Sequence, residues 1–154
     1  MAKEKNKVKP KYFCGKDERI EVTVTGFYDK EDGDLRFVIP DKVEEPEDAL
    51  EKVFHVFRFK PVNYNSLCYY RQNCAVQVRD GDRFKLVTDD IKLNKFLWTF
   101  HLADWNFEDD KGKVVLVFDP DGSLSAESFD KLYSVKPKIL DAAIAEFRRK
   151  MSID

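Results

Sequence analysis

Residues 89–113, "DDIKLNKFLWTFHLADWNFEDDKGK", constrain the fold more than any other stretch of the chain. Two tryptophans, three phenylalanines and three leucines share a run that stops in acidic residues and a Lys-Gly-Lys turn. The spacing of the apolar residues predicts a helix over residues 89–107 that is apolar over more than half its circumference. One stripe at helical spacing contains Leu93, Phe96, Phe100, Ala103 and Phe107, and a second stripe beside it contains Trp98, Leu102 and Trp105.

Two interpretations of this helix are open. It is the central helix of the core, or one stripe is buried and the tryptophan stripe contacts another chain. Aromatic residues make up 14% of the 154 residues, so we expect more rings here than a small domain hides. The predicted protein interface therefore has apolar anchors and a basic rim, namely Trp98, Leu102, Trp105, Phe107, Lys111 and Lys113.

The first half of the chain carries strand patterns. Residues 20–39 alternate apolar and polar side chains on both sides of "DKEDGD", which predicts an antiparallel β-hairpin with Gly33 in the turn. The run "VFHVFRFKP" at residues 53–61 predicts a third strand that pairs with the hairpin. Between them, "EEPEDALEK" at residues 44–52 predicts a short helix beginning near Pro46.

Helical patterns dominate the second half. Helices are expected over residues 66–78, after Asn63 or Asn65 as a cap, and from Ser125 as N-cap. A terminal amphipathic helix is expected from Pro137, and "VVLVF" at residues 114–118 predicts a further strand. The chain is thus expected to be α+β: an N-terminal antiparallel β-hairpin plus a third strand, packed with about four helices in a single domain over residues 17–154.

Residues 1–16 are expected to form a basic flexible arm. The first eleven residues carry five lysines against one glutamate, a net charge of +4, whereas the whole chain carries −2. The remaining −6 disfavours nucleic-acid binding by the body, and a nucleic-acid-binding regulator acting through the arm is the weaker alternative. Candidate arm contacts to phosphate or to an acidic protein face are Lys3, Lys5, Lys7, Lys9 and Lys11.

Composition favours a protein kept in the cytoplasm. The three cysteines are odd in number and scattered, which predicts reduced thiols rather than disulfides. No run approaches the 18 apolar residues of a membrane span, and no apolar block follows the lysine-rich start as in a secretion signal.

No catalytic, cofactor or metal motif stands out. Both acidic turns fail the spacing of a calcium-binding EF-hand loop, and no nucleophile, zinc or phosphate-binding motif is present. A hydrolase or nuclease that uses His101 with the acids of residues 104–110 is a hypothesis from another class. We expect a chain that is not an enzyme and that takes no metal or cofactor.

The order of three segments resembles a pattern in small morphogenesis proteins of tailed bacteriophages, often grouped as tail-assembly-chaperone-like. The segments are "FRFKPVNYNSL", residues 89–115 with the Trp105-Asn106 pair and the "EDDKGK" turn, and "LSAESFDKLYSVKPKILDAAIAEF". The resemblance spans roughly residues 53–148. It implies no catalytic residues.

This resemblance implies a binding role in phage assembly. The expected function is a non-enzymatic one in bacteriophage tail or virion assembly, chaperone-like, with other phage structural proteins as partners. The alternative is a permanent structural component of the neck or tail, with the lysine arm contacting a neighbouring subunit. The expected location is the host cytoplasm, and the virion under the alternative.

Overall fold

A four-stranded antiparallel sheet forms the centre of the molecule. The computed structural model describes residues 9–39 and 50–153. Strands β1 (Ile20–Asp29), β2 (Leu35–Ile39), β3 (Leu50–Phe59) and β6 (Leu102–Trp105) lie in the order β2-β1-β3-β6. The predicted hairpin of β1 and β2 and the pairing of β3 with it are confirmed.

The alternation of side chains decides which face of this sheet is buried. Val22 pairs with Phe57 and Val24 with His55, so these side chains point to one face, where all four are buried. Gly33 takes a φ of 72° in the turn between β1 and β2, a conformation that glycine adopts without steric cost.

The described residues contain four helices, each of which begins where a local signal marks its start. They are α1 (Tyr64–Cys74), α2 (Asp90–His101), α3 (Ala126–Tyr133) and α4 (Pro137–Lys150). The side chains of Asn63, Asp89 and Ser125 each accept a hydrogen bond from a first-turn amide, and α4 begins with a proline. The α+β class, the single domain and about four helices are confirmed.

The long helix predicted over residues 89–107 is wrong in its extent. Helix α2 ends at His101, and residues 102–105 form β6. Strand β6 pairs with β3, with Trp105 opposite Phe57 and Leu102 opposite Phe59. The sheet hydrogen bonds and the burial of Trp105 therefore outweigh the helical spacing of these residues.

The helix predicted over residues 66–78 is also wrong at its C-terminal end. Helix α1 ends at Cys74, and Ala75–Asp80 is strand β4, which pairs in antiparallel with β5 (Arg83–Thr88). Two short strands, β7 (Glu108–Asp109) and β8 (Gly112–Lys113), form the "EDDKGK" turn.

The strand predicted over residues 114–118 is absent from the described strands, and the helix predicted over residues 44–52 is mostly untested. Residues 114–118 belong to no named strand, and only an isolated bridge joins Phe118 to Leu124. The predicted helix over residues 44–52 lies outside the described residues, except for its last three, which belong to β3. None of the four described helices is long and apolar enough to cross a membrane.

The core is formed by the inner face of the sheet and by side chains of all four described helices. Phe59 stacks on Phe147 of α4 at a centroid distance of 4.1 Å, and Phe57 packs edge-on against Trp98 of α2 at 5.6 Å. These rings are buried and connect the sheet to two helices. Seven of the 21 aromatic residues are buried and nine are exposed, so the fold encloses only part of its aromatic content.

Asn106 extends the sheet beyond the end of β6. Its backbone N–H donates to the carbonyl of Val56 at 3.2 Å. Its side-chain Oδ1 accepts from the Val56 N–H, and its Nδ2 donates to the carbonyl of Phe54, both at 2.9 Å. The side-chain amide thus takes the place of a further strand residue beside β3.

Replacing Asn106 by alanine is expected to lower the free energy of unfolding by about 1–2 kcal/mol, because two partly exposed hydrogen bonds are lost. Asn106→Asp keeps the acceptor but sets a carboxylate oxygen against the Phe54 carbonyl where the donor was, so a loss at least as large as that of the alanine variant is expected. Urea denaturation measures both effects, with Asn65→Ala on the exposed surface of α1 as the matched control. An Asn106→Ala variant as stable as the control would contradict this role.

Candidate protein-interaction surface

The predicted tryptophan interface is wrong, because the stripe is buried. Trp98 is 2% exposed and Trp105 is 3% exposed, while Leu102 is fully buried. The indole Nε1–H of Trp105 donates to the carbonyl of Val114 at 2.8 Å, so its polar atom is satisfied inside the protein. These three residues stabilise the fold and present no surface to a partner.

The other predicted interface residues lie near one another but form no apolar anchor. Phe107 is half-buried and stacks on His55 at 4.9 Å. Lys111 and Lys113 are exposed on the β7–β8 turn, where the Lys113 Nζ lies 3.2 Å from the carboxylate of Asp104. Because the tryptophans are buried, the surface around Phe107, Lys111 and Lys113 is charged, and its one aromatic ring, that of Phe107, is half-buried.

The lysines of the arm are only partly described. Lys3, Lys5 and Lys7 lie outside the described residues, so their predicted contacts stay predictions. Lys9 and Lys11 are exposed. Tyr12 and Phe13, which follow them, are also largely exposed.

His101 occupies a closed hydrogen-bonding site in the core. Its Nδ1 lies 2.9 Å from the carbonyl of Lys60, which can only accept, so Nδ1 carries the proton. Nε2 then accepts from the hydroxyl of Tyr70. Burial lowers the pKa of His101 and raises the pKa of Tyr70 to about 12. The neutral imidazole therefore acts as a buried structural link.

The predicted acidic partners of His101 are engaged elsewhere. Asp104 faces Arg58 at 3.6 Å and Lys113 at 3.2 Å on the partly exposed side of the sheet. Glu108, Asp109 and Asp110 are exposed in the β7–β8 turn. Across residues 9–39 and 50–153, no group of three or more histidine, cysteine or acidic side chains is arranged to hold a metal ion.

The buried histidines predict a loss of stability in mild acid. Burial lowers the pKa of both His55 and His101, so below the unfolded-state pKa of about 6.5 the unfolded chain binds more protons than the folded chain. The free energy of unfolding should therefore be constant above that pH and should fall as the pH drops through the window between the unfolded and folded pKa values.

Urea denaturation at several pH values between 7.5 and 5 measures this slope. A His101→Gln variant should show a smaller decrease than the wild type, whatever its stability at pH 7.5. Equal slopes in the two proteins would show that His101 does not contribute.

The β4–β5 hairpin has exposed apolar side chains, whereas the tryptophans are buried. Eleven of its twelve strand residues are exposed, and only Val87 is half-buried. Phe84 is 65% exposed and Leu86 is 72% exposed. Residues directly opposite each other share a face, so Phe84 and Leu86 lie on one face with Arg79 and Gln77.

The opposite face of the hairpin is mixed. Val76 and Val78 lie there across from Val87 and Lys85, and both valines are exposed. Towards the tip, Lys85 faces the carboxylate of Asp80 at 3.9 Å. The hairpin thus has apolar side chains on both faces and charges close to its turn.

The base of the hairpin is fixed to the core, whereas the tip is a tight turn. The N–H of Asp89 donates to the carbonyl of the buried Cys74 at 2.7 Å, which joins the two strands where they meet α1 and α2. At the tip, Gly81 has a φ of 64° at the first of two loop positions, as in a type II′ turn. A fixed base with a short turn gives the hairpin a defined direction.

Comparison of the chain with protein-family models, with curated proteins and with solved structures finds no match.

An isolated two-stranded hairpin is only marginally stable in water, and a strand edge with apolar neighbours promotes association. Burying Phe84 and Leu86 against a partner would remove apolar area from water and would complete the hairpin with a third strand or a packed surface. The hairpin is therefore the best candidate for a binding element among the described residues.

Proposed function

We propose that this chain is a non-enzymatic protein-binding protein of bacteriophage tail or virion assembly, and that the β4–β5 hairpin is its contact element. The observation that carries the proposal is the exposure of Phe84 and Leu86 on a hairpin whose strand residues are almost all in solvent. The assembly setting rests on the resemblance of residues 53–148 to phage morphogenesis proteins.

The hairpin combines a few apolar anchors with charged residues, as protein interfaces do. Aromatic and large aliphatic side chains supply most of the binding free energy of such interfaces, and surrounding charges fix orientation. Phe84 and Leu86 are the anchors in the hairpin. Arg79 lies on the same face, and Arg83 and Lys85 lie on the opposite face. The expected partners are other phage structural proteins in the host cytoplasm.

Affinity capture from phage-infected cells tests the proposal. A tagged wild-type chain is compared with the double variant Phe84→Ser/Leu86→Ser, and with Ile91→Ser as the matched control. Ile91 is 84% exposed on α2, outside the hairpin. Tail or neck proteins should be recovered with the wild type and the control and lost with the double variant. Recovery of the same proteins with all three chains would refute the hairpin as the contact element.

Mass spectrometry of purified particles separates a transient chaperone from a permanent component. A chaperone is present in infected cells and absent from the particle, whereas a neck or tail component is present at a fixed copy number. The proposal favours the chaperone, because an exposed hairpin with two apolar faces suits a reversible partner.

A further inference from the structure

Residues 114–118, which follow β8, form an apolar edge separate from the hairpin. Their side chains alternate in burial, with Val115 70% exposed, Leu116 buried and Val117 more than half exposed. This period of two is that of an extended chain. Apart from the bridge between Phe118 and Leu124, the segment pairs with no strand in the described part of the chain.

Both ends of the segment are fixed by hydrogen bonds. The N–H of Val114 donates to the carbonyl of Phe107 at 2.9 Å, and its carbonyl accepts from the Trp105 indole. The N–H of Val117 donates to the Ser128 hydroxyl of α3 at 2.8 Å, and its carbonyl accepts from the N–H of Ser125 at 2.9 Å. The extended segment is therefore held in place without a strand partner on its α3 side.

One backbone edge between these anchors is open. Alternate residues of an extended chain point their backbone N–H and C=O groups to the same edge. The backbone groups of Val115 therefore point to the same edge as those of Val117, which are hydrogen-bonded to Ser125 and Ser128. The N–H of Val114 points towards Phe107 and continues the β7–β8 ladder. The backbone N–H and C=O of the preceding residue, Lys113, therefore point away from β7, to the same edge as those of Val115. The backbone of Val115 makes no hydrogen bond with the backbone of residues 9–39 or 50–153.

A groove of about 540 Å³ lies between this edge and α3. Its apolar side is formed by residues 114–117. Its polar side includes Glu127, Asp130 and Lys131 of α3 together with Asp109, so that three carboxylates face one ammonium group. The groove therefore combines open backbone groups, an apolar strip and a net negative charge.

The geometry points to this groove as the docking site for an extended segment of a partner protein that carries basic side chains at alternate positions. The segment pairs its backbone with Lys113 and Val115 as an added strand, which is β-augmentation. Its basic side chains then lie beside the carboxylates of Glu127 and Asp130, and this charge complementarity selects it over a neutral or acidic strand. This acceptor site is independent of the hairpin contact proposed above.

Binding of a short probe peptide to the full chain tests the assignment. The probes are acetyl-KVKVKV-amide and its acidic counterpart acetyl-EVEVEV-amide, titrated into ¹⁵N-labelled protein and followed by amide chemical shifts. The lysine peptide should shift the amides of residues 113–117 and of α3 and leave residues 75–88 unchanged. The acidic peptide should bind at least about 10-fold more weakly, as expected for like charges in the groove.

Two variants separate the backbone contact from the charge contact. Glu127→Lys/Asp130→Lys, at two exposed positions, should reverse the preference between the two peptides. Val115→Pro removes the edge N–H and should weaken binding of the lysine peptide about 10-fold, with unshifted amides elsewhere showing that the fold is intact. If Val115→Pro fails to fold, the charge-reversal variant decides alone.

Three results would overturn the assignment. They are equal binding of both peptides, shifts located away from the groove, and an unchanged preference after charge reversal. Self-association of the chain that the charge reversal abolishes, without binding of the lysine peptide, would instead assign the groove to a second copy. Loss of this site would leave the hairpin proposal untouched, because that proposal is measured on Phe84 and Leu86.

Discussion

Trp105→Ala is expected to lower the free energy of unfolding by about 3–5 kcal/mol, the usual cost of removing a large buried ring. The side chain is 3% exposed and packs edge-on against Phe107 at 4.9 Å. The substitution also leaves the Val114 carbonyl without the indole donor. The melting temperature of a domain of this size should fall by roughly 6–20 °C. Calorimetry and urea denaturation measure the two quantities.

Two controls identify the cause of this effect. Trp105→Phe keeps most of the ring and loses the indole N–H, so it should recover more than half of the lost stability. Tyr64→Ala removes a ring that is 77% exposed and should shift the melting temperature by no more than about 2 °C. An alanine variant at position 105 that melts with the wild type would mean that the indole is not part of the core.

Phe84→Ser/Leu86→Ser is expected to weaken binding to a partner recovered by affinity capture by at least about 30-fold. This factor corresponds to about 2 kcal/mol, the loss typical of truncating an interface anchor. The melting temperature should change little, because both side chains are mostly in solvent. Isothermal titration calorimetry with the purified partner gives the affinity.

The matched control for the hairpin is Ile91→Ser, which removes exposed apolar area from α2. It should bind the partner as tightly as the wild type. If both variants bind normally, the hairpin is not the contact element. If both lose affinity equally, the partner covers a wider surface than the hairpin, and the anchors proposed at Phe84 and Leu86 are incorrect.

Elements with a signal inside their own sequence could be predicted. The hairpin around Gly33 has alternating side chains and a turn residue, and α3 and α4 begin at a serine cap and a proline. These signals act over a few residues, so no knowledge of the rest of the chain is needed.

Elements decided by distant partners could not be predicted. Residues 102–105 have helical spacing when they are read with α2, but they form β6 because β3 offers a place beside Phe57 and Phe59. The same pairing buries Trp105, so the predicted exposure of the tryptophan stripe failed together with the predicted helix. Tertiary context thus outweighed local periodicity at this position.

The binding surface was missed although a signal was present. The Gly-Asp pair at residues 81–82 lies between "AVQVRD" and "RFKLVT", and a two-residue loop that begins with glycine between alternating apolar residues is a hairpin signal. Because "AVQV" was interpreted as the end of a helix, the turn after it was interpreted as the helix terminus instead of a hairpin turn. The exposure of both hairpin faces could not have been read from this pattern, because alternation does not show whether a partner covers either face.

Amide hydrogen exchange of the free chain and of its complex with a captured partner tests the central claim most directly. We expect fast exchange in residues 75–88 of the free chain, strong protection of these amides in the complex, and slow exchange of residues 93–105 in both. Protection on binding that is confined to residues 90–107, with no change in residues 75–88, would contradict it.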